Sequence, residues 1–314
     1  MTRVADLLPK TLATVLSERV LNRRANWIEV ARMDLANARR SSMLWALSGV
    51  LGLLMLLFPL LRLLLVQIDP TELPADFGVE ALGVVIWLLG PLAGLIVGSM
   101  AVVGEKEAGS LRMLLGLPIT RRDVVIGKLL GRAVVMAGVL LPGLALASVE
   151  LWYVFGPFDF VWYGQALAAI IGYVLLFVWI GVGISAFFRS SAVTLSAAVS
   201  AYALFVLVWR VIPRWVYYLV EGQFPENIPF PWDPPAWFVF LGNANPFYGY
   251  ASMLAEWSII APGPARDGTI RYQSYTFEGT VPFYLQPEFL LAVMLIWGIV
   301  PLLIGTWRFT RSDL

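Results

Sequence analysis

"GEKEAGSLRMLLGLPITRRDVVIGK", residues 104–128, sets Glu105, Lys106, Glu107, Arg112, Arg121, Arg122, Asp123 and Lys128 between two strongly apolar stretches. If those stretches cross a bilayer, the charges must lie together in water at one face, because ionised groups in hydrocarbon are costly. The spacing predicts two short helical pieces broken at Leu117-Pro118. The first, from about Glu105 to Gly116, starts with carboxylates where a helix N-terminus favours them. It places Leu111, Leu114 and Leu115 on one face and leaves Glu107 and Arg112 more exposed. Pro118 ends it, since the residue before proline is disfavoured in the α conformation. Thr120 and Asp123 then form a Thr-x-x-Asp capping box that restarts a helix into the next apolar stretch. The expected product is a short rigid helix, apolar on one side and charged on the other. That shape suits docking, or, in a plainer reading, a solvated loop that only sets topology.

Composition agrees with a membrane setting. The 314 residues are 59% hydrophobic and 14% charged, whereas soluble domains carry about 25% charge. A net charge of +1 argues against nucleic acid as a partner. Cysteine and histidine are both absent, which removes disulfides, thiol chemistry and zinc sites built on imidazole or thiolate. The N-terminus, MTRVADLLPKTLATVLSERV, has neither a clean apolar core nor a small-residue cleavage site, so no removable signal peptide is expected.

A hydrocarbon core about 30 Å thick needs about 20 apolar residues per helix. Six spans follow, at roughly 43–66, 80–103, 131–155, 162–188, 191–212 and 288–308. The expected fold is therefore all-α, with a polar amphipathic segment 1–42 before a six-span domain 43–314. Basic residues crowd the N-terminal segment, the segment 104–130 and the C-terminus, while loop 67–79 holds only Asp69, Glu72 and Asp76. The positive-inside rule then puts both termini and 104–130 in the cytoplasm, and the long loop 213–287 outside. In the N-terminal segment Ile28, Ala31, Leu35 and Ala38 share a helical face that Asp34 interrupts. Such a helix would lie in the lipid headgroup layer or contact a partner.

Gly90, Gly94 and Gly98 recur every four residues along the second span and would let another helix approach closely. Their bland role is packing within the chain; the sharper one is a subunit interface or gate. Proton- and ion-driven carriers keep ionisable groups at depth, but here only Arg62 and Glu150 come near, each close to an outer boundary. Gly127-Lys128 is followed by Leu129, and Arg122 stands where a P-loop needs glycine, so the chain lacks a nucleotide-binding loop.

Taken together, Glu105-Lys106-Glu107-x-Gly109-Ser110-Leu111, Leu114-Leu115, Pro118-Ile119-Thr120-Arg121 and Gly127-Lys128 resemble the hallmark segment of type-2 ATP-binding-cassette permeases. The six-span plan, the amphipathic N-terminal helix and the Asn245-Pro246-Phe247 turn extend the resemblance over most of the chain. Within the family the segment looks most like the branch linked to multicopper-enzyme maturation, which includes the nitrous-oxide reductase accessory permease.

The resemblance implies a non-catalytic permease that works as two copies, or beside a related chain, with two cytoplasmic ATPase subunits. ATP and Mg would be held by those subunits, with no cofactor in this chain. It implies coupling through Glu105, Glu107, Gly109, Leu111, Arg112, Pro118 and Arg121. The long loop, rich in tryptophan and proline, would contribute re-entrant or interfacial helices such as 236–260. The rivals are a membrane anchor without cargo and, against the missing chemistry, a membrane enzyme.

Overall fold

The computed structural model of the chain describes residues 26–38, 40–66, 77–116, 119–155, 160–225, 234–250, 270–272, 275–277 and 282–312. Its first helices are α1 (Asn26–Ala38), α2 (Ser42–Val66), α3 (Phe77–Ser99), α4 (Val103–Glu107) and α5 (Ser110–Leu115). Then come α6 (Arg121–Phe155), α7 (Phe160–Phe187) and α8 (Ser191–Ala203), the last extended by a π-helical turn, Leu204–Val208. The chain closes with α9 (Ile212–Glu221), α10 (Ala236–Asn243) and α11 (Pro287–Arg311). Among the described residues the β structure is one small antiparallel hairpin, β1 (Ile270–Tyr272) with β2 (Tyr275–Phe277). The fold is the expected all-α membrane plan; the hairpin and the π turn had no counterpart in the sequence reading.

Five stretches, Leu82–Glu107, Arg121–Val154, Tyr163–Phe187, Ser191–Val208 and Pro287–Arg311, are long and apolar enough to cross a bilayer. The 25 residues of α2 reach about 37 Å at 1.5 Å per residue, which supplies the sixth candidate span. A bend of 74° separates α2 from α1.

The core is a stack of α3, α7 and α11, held close by glycine. A Cβ built on Gly90 would stand 2.8 Å from the Val174 side chain, and one on Gly94 would stand 2.7 Å from the Val174 carbonyl. On Gly98 it would meet the Val178 carbonyl at 2.5 Å. All three therefore face α7 of the same chain. On its other side α7 meets α11, where Gly183 lies against the Pro301 backbone and Gly305 against the Gly183 carbonyl. Backbones this close gain dispersion contacts that lipid cannot supply.

At the end of the bundle away from α4 and α5, the Asn245-Pro246-Phe247 turn is buried. Asn245 donates to the Phe205 carbonyl at 2.7 Å and accepts from the Phe247 amide at 2.6 Å. The Tyr248 hydroxyl donates to the Val206 carbonyl at 3.0 Å. These side chains serve carbonyls of the widened π turn, where the helical bonding pattern shifts. Three indole N–H groups pin the same region: Trp87 to Phe247 O, Trp297 to Ala244 O and Trp209 to Leu241 O, at 2.7, 2.8 and 3.0 Å. Of the expected hairpin 236–260, residues 251–260 lie outside the described residues.

Candidate functional site

The charged segment folds as two helices rather than the single one expected from Glu105 to Gly116. Gly109 has φ +69 and separates α4 from α5. That left-handed conformation costs an L-residue with a Cβ about 1–2 kcal/mol, so glycine turns the chain before Leu117-Pro118 is reached. Gly109→Ala is expected to destabilise the chain by about that much, read as a lowered melting temperature in detergent. Leu111 and Leu114 are buried beneath α5. The Arg112 side chain and Pro118 lie outside the described residues.

The Glu105-Lys106-Glu107 triplet is engaged within the chain, each residue with a different element. Glu105 pairs with Lys128 of α6, and Lys128 pairs with Asp34 of α1 at 2.8 Å. Asp34 also lies 3.0 Å from the Arg132 guanidinium. Lys128 and Asp34 are 3% and 1% exposed, so a buried pair forms the centre of a cluster whose outer members, Glu105 and Arg132, are partly exposed. Lys106 donates to the Ala186 and Phe188 carbonyls at 2.7 and 2.8 Å. It thereby caps the C-terminus of α7, where a cation complements the helix dipole. Glu107 accepts from the Ser191 amide at 2.7 Å and from the Ser191 hydroxyl, which puts a carboxylate at the N-terminus of α8.

The surrounding groups continue the pattern. The Ser185 hydroxyl accepts from the Val102 and Val103 amides at 2.9 and 3.0 Å, joining the start of α4 to α7. Arg121 donates to the Phe309 carbonyl at 2.7 Å and to the Ser312 carbonyl, so it closes the end of α11. The Thr120–Asp123 capping box is formed, with Thr120 N–H to the Asp123 carboxylate at 2.9 Å and Asp123 N–H to Thr120 Oγ1 at 3.2 Å. What points outward from this hub is the α4–α5 elbow: Gly109 is exposed and the Met113 side chain is 76% exposed, with Arg122 and Arg189 exposed beside them.

Asp34, Lys128, Arg132, Ser185 and Ser191 were not singled out as site residues from sequence. A signal for part of the cluster was present: Gly127 and Gly131 are four apart, as are Lys128 and Arg132. A Cβ on Gly127 would lie 2.6 Å from the Trp27 carbonyl and one on Gly131 would lie 2.8 Å from the Asp34 carboxylate. The two glycines thus seat α1 on α6, and the acid that interrupts the α1 apolar stripe meets its cations there. Lys128, enclosed by Asp34 and Glu105, is not available to a phosphate group.

A family model described as "ABC-2 family transporter protein" matches residues 28–314, which take in the hub and all six candidate spans. The chain belongs to this family. It is 30% identical over 222 residues to the probable ABC transporter permease protein NosY of Stutzerimonas stutzeri, covering 64% of this chain and 74% of that one. It is 32% identical over 130 residues to the probable ABC transporter permease protein NosY of Pseudomonas aeruginosa, over 39% of this chain and 44% of that one. These relatives carry the branch that the charged segment resembles. An ABC-2 permease is a multi-pass membrane protein, and the hub ties its charged segment to α1, α6, α7, α8 and α11.

Proposed function

We propose that this chain is the transmembrane subunit of an ATP-driven transporter, with two permease copies carried on two cytoplasmic ATPase subunits that bind ATP and Mg. The observation that carries the reading is the triplet Glu105-Lys106-Glu107. One three-residue stretch grips the α1–α6 cluster, the end of α7 and the start of α8, while the α4–α5 elbow beside it stays exposed. A push on that elbow would be delivered to several spans together, which is what coupling to a separate motor requires. In this reading the exposed elbow around Gly109 and Met113 meets the ATPase. Glu105, Glu107 and Arg121 pass the movement inward, and Leu111 holds α5 to the bundle.

The isolated chain is expected to hydrolyse no ATP, and the complex with its ATPase to do so. Met113→Asp should weaken retention of the ATPase without lowering the melting temperature of the permease. The double change Glu105→Gln with Glu107→Gln should reduce ATPase activity in the complex, whereas Arg311→Gln should leave it at the wild-type rate. Retention and activity unchanged in all three variants would reject coupling through this hub.

The same reading places the hub in the cytoplasm of a prokaryotic cell, with both termini inside and Pro213–Pro287 outside. Single cysteines introduced into this cysteine-free chain test it with an impermeant thiol label. A cysteine at position 240 should react from outside and one at position 110 only from inside; the reverse pattern overturns the topology.

A further inference from the structure

At the end of the bundle opposite the hub, α8 and its π turn lead through Trp209 and Arg210 into α9. There a cleft of about 150 Å³ opens between α9, α10 and Tyr248. Its walls include Trp209, Pro213, Phe238 and Tyr248, and its cationic lining comes from Arg210 and Arg214. Both guanidinium-bearing residues are exposed. Arg210 has no ion pair among the described residues.

α9 itself is two-sided. Pro213 and Tyr217 are buried against the protein. Val211, Trp215 and Leu219, spaced by four, are exposed at 44%, 53% and 78%. An apolar stripe of this kind, on a short helix that caps a membrane span, lies in the plane of the lipid headgroups. Arg214 falls between the buried face and the stripe at 3.6 residues per turn, Arg210 stands just before the helix, and both line the cleft.

We infer that this cleft binds the anionic head group of a phospholipid in the leaflet opposite the hub, with its phosphate at Arg210 and its acyl chains along the Val211, Trp215 and Leu219 stripe. The charge sign selects an anion, and guanidinium matches phosphate geometry in preference to a point charge. The adjoining stripe selects an anion that carries hydrocarbon, which separates a lipid from free phosphate. Nothing in this inference depends on ATP coupling, since it concerns the other end of the molecule.

The full-length chain in phosphatidylcholine nanodiscs would be titrated with phosphatidylglycerol, and bound lipid counted by native mass spectrometry. Wild type should retain phosphatidylglycerol over phosphatidylcholine. Arg210→Gln should weaken that retention about fivefold, the scale of one basic residue at an anionic surface. Arg210→Lys, which keeps the charge but loses the planar fork, should fall between wild type and Arg210→Gln, and Arg311→Gln, which removes a charge at the hub end, should change nothing. Equal loss in Arg210→Gln and Arg311→Gln, or no lipid preference in wild type, overturns the inference. For a reading independent of any variant, inorganic phosphate should fail to displace the lipid from wild type; displacement at matched concentrations would make free phosphate the ligand and overturn the lipid assignment.

Discussion

Lys128→Met is expected to cost about 3–5 kcal/mol of stability, the scale for removing one partner of a buried ion pair. The Lys128 ammonium lies between the Asp34 and Glu105 carboxylates, and Asp34 is almost completely enclosed. Methionine fills a similar volume, so the loss would come from charge rather than from a cavity. Asp34 would keep Arg132 as its remaining cation, while Glu105 would lose the cation it pairs with. Pairing the change with Asp34→Asn removes a stranded charge and should recover part of the loss, because a buried pair replaced as a unit often costs little. Melting of the detergent-solubilised single and double variants checks this. A Lys128→Met protein that melts like wild type, or a double variant worse than the sum of both singles, would mean that the cluster does not anchor α1.

Gly98→Leu should be the most damaging of the glycine substitutions along α3. The first atoms its Cβ would meet are all backbone: the Val178 carbonyl at 2.5 Å, the Val182 amide at 2.9 Å and the Gly181 Cα at 3.0 Å. A flexible side chain could swing aside; a helix backbone cannot do so without moving α7. Overpacking of this kind costs about 1–3 kcal/mol and occasionally more, and here the displacement would also pass through α7 to Gly183 and α11. Gly138→Leu is the matched control, since nothing lies within 4 Å of its Cβ position. Gly138→Leu should melt near the wild-type temperature while Gly98→Leu melts well below it. Similar melting of the two would show that the α3–α7 contact is not close-packed as described.

The two changes separate what local sequence carries from what it does not. The six apolar stretches, the abrupt charged interruption and the Thr120–Asp123 cap were legible because each depends on residues adjacent in the chain or one turn apart. Hydrophobic length needs no partner to be read, and a capping box is closed within four residues. The recurrence of Gly90, Gly94 and Gly98 was equally plain, yet it is silent about which helix comes close. That helix is α7, more than seventy residues onward.

The charged triplet shows the same limit at higher resolution. The family resemblance assigned Glu105 and Glu107 to coupling with a partner, and the helix spacing by itself left Glu107 exposed and said nothing of what Glu105 meets. In the tertiary structure Glu105 turns to Lys128, while Glu107 stays exposed, as the helix spacing predicts, and its carboxylate accepts from Ser191 at the start of α8. Asp34 is the mirror case: a flaw in the amphipathic stripe of α1 when read alone, and the centre of the ion cluster once α6 lies against it. Chain length and composition determined that the protein is a helical membrane protein with its charge gathered in a few segments, because burial in lipid is a property each segment has by itself. Which charges face out, which glycines touch which backbones and which helix ends the triplet caps were decided only by folding, because an ion pair or a close contact is a property of two positions that the sequence places far apart.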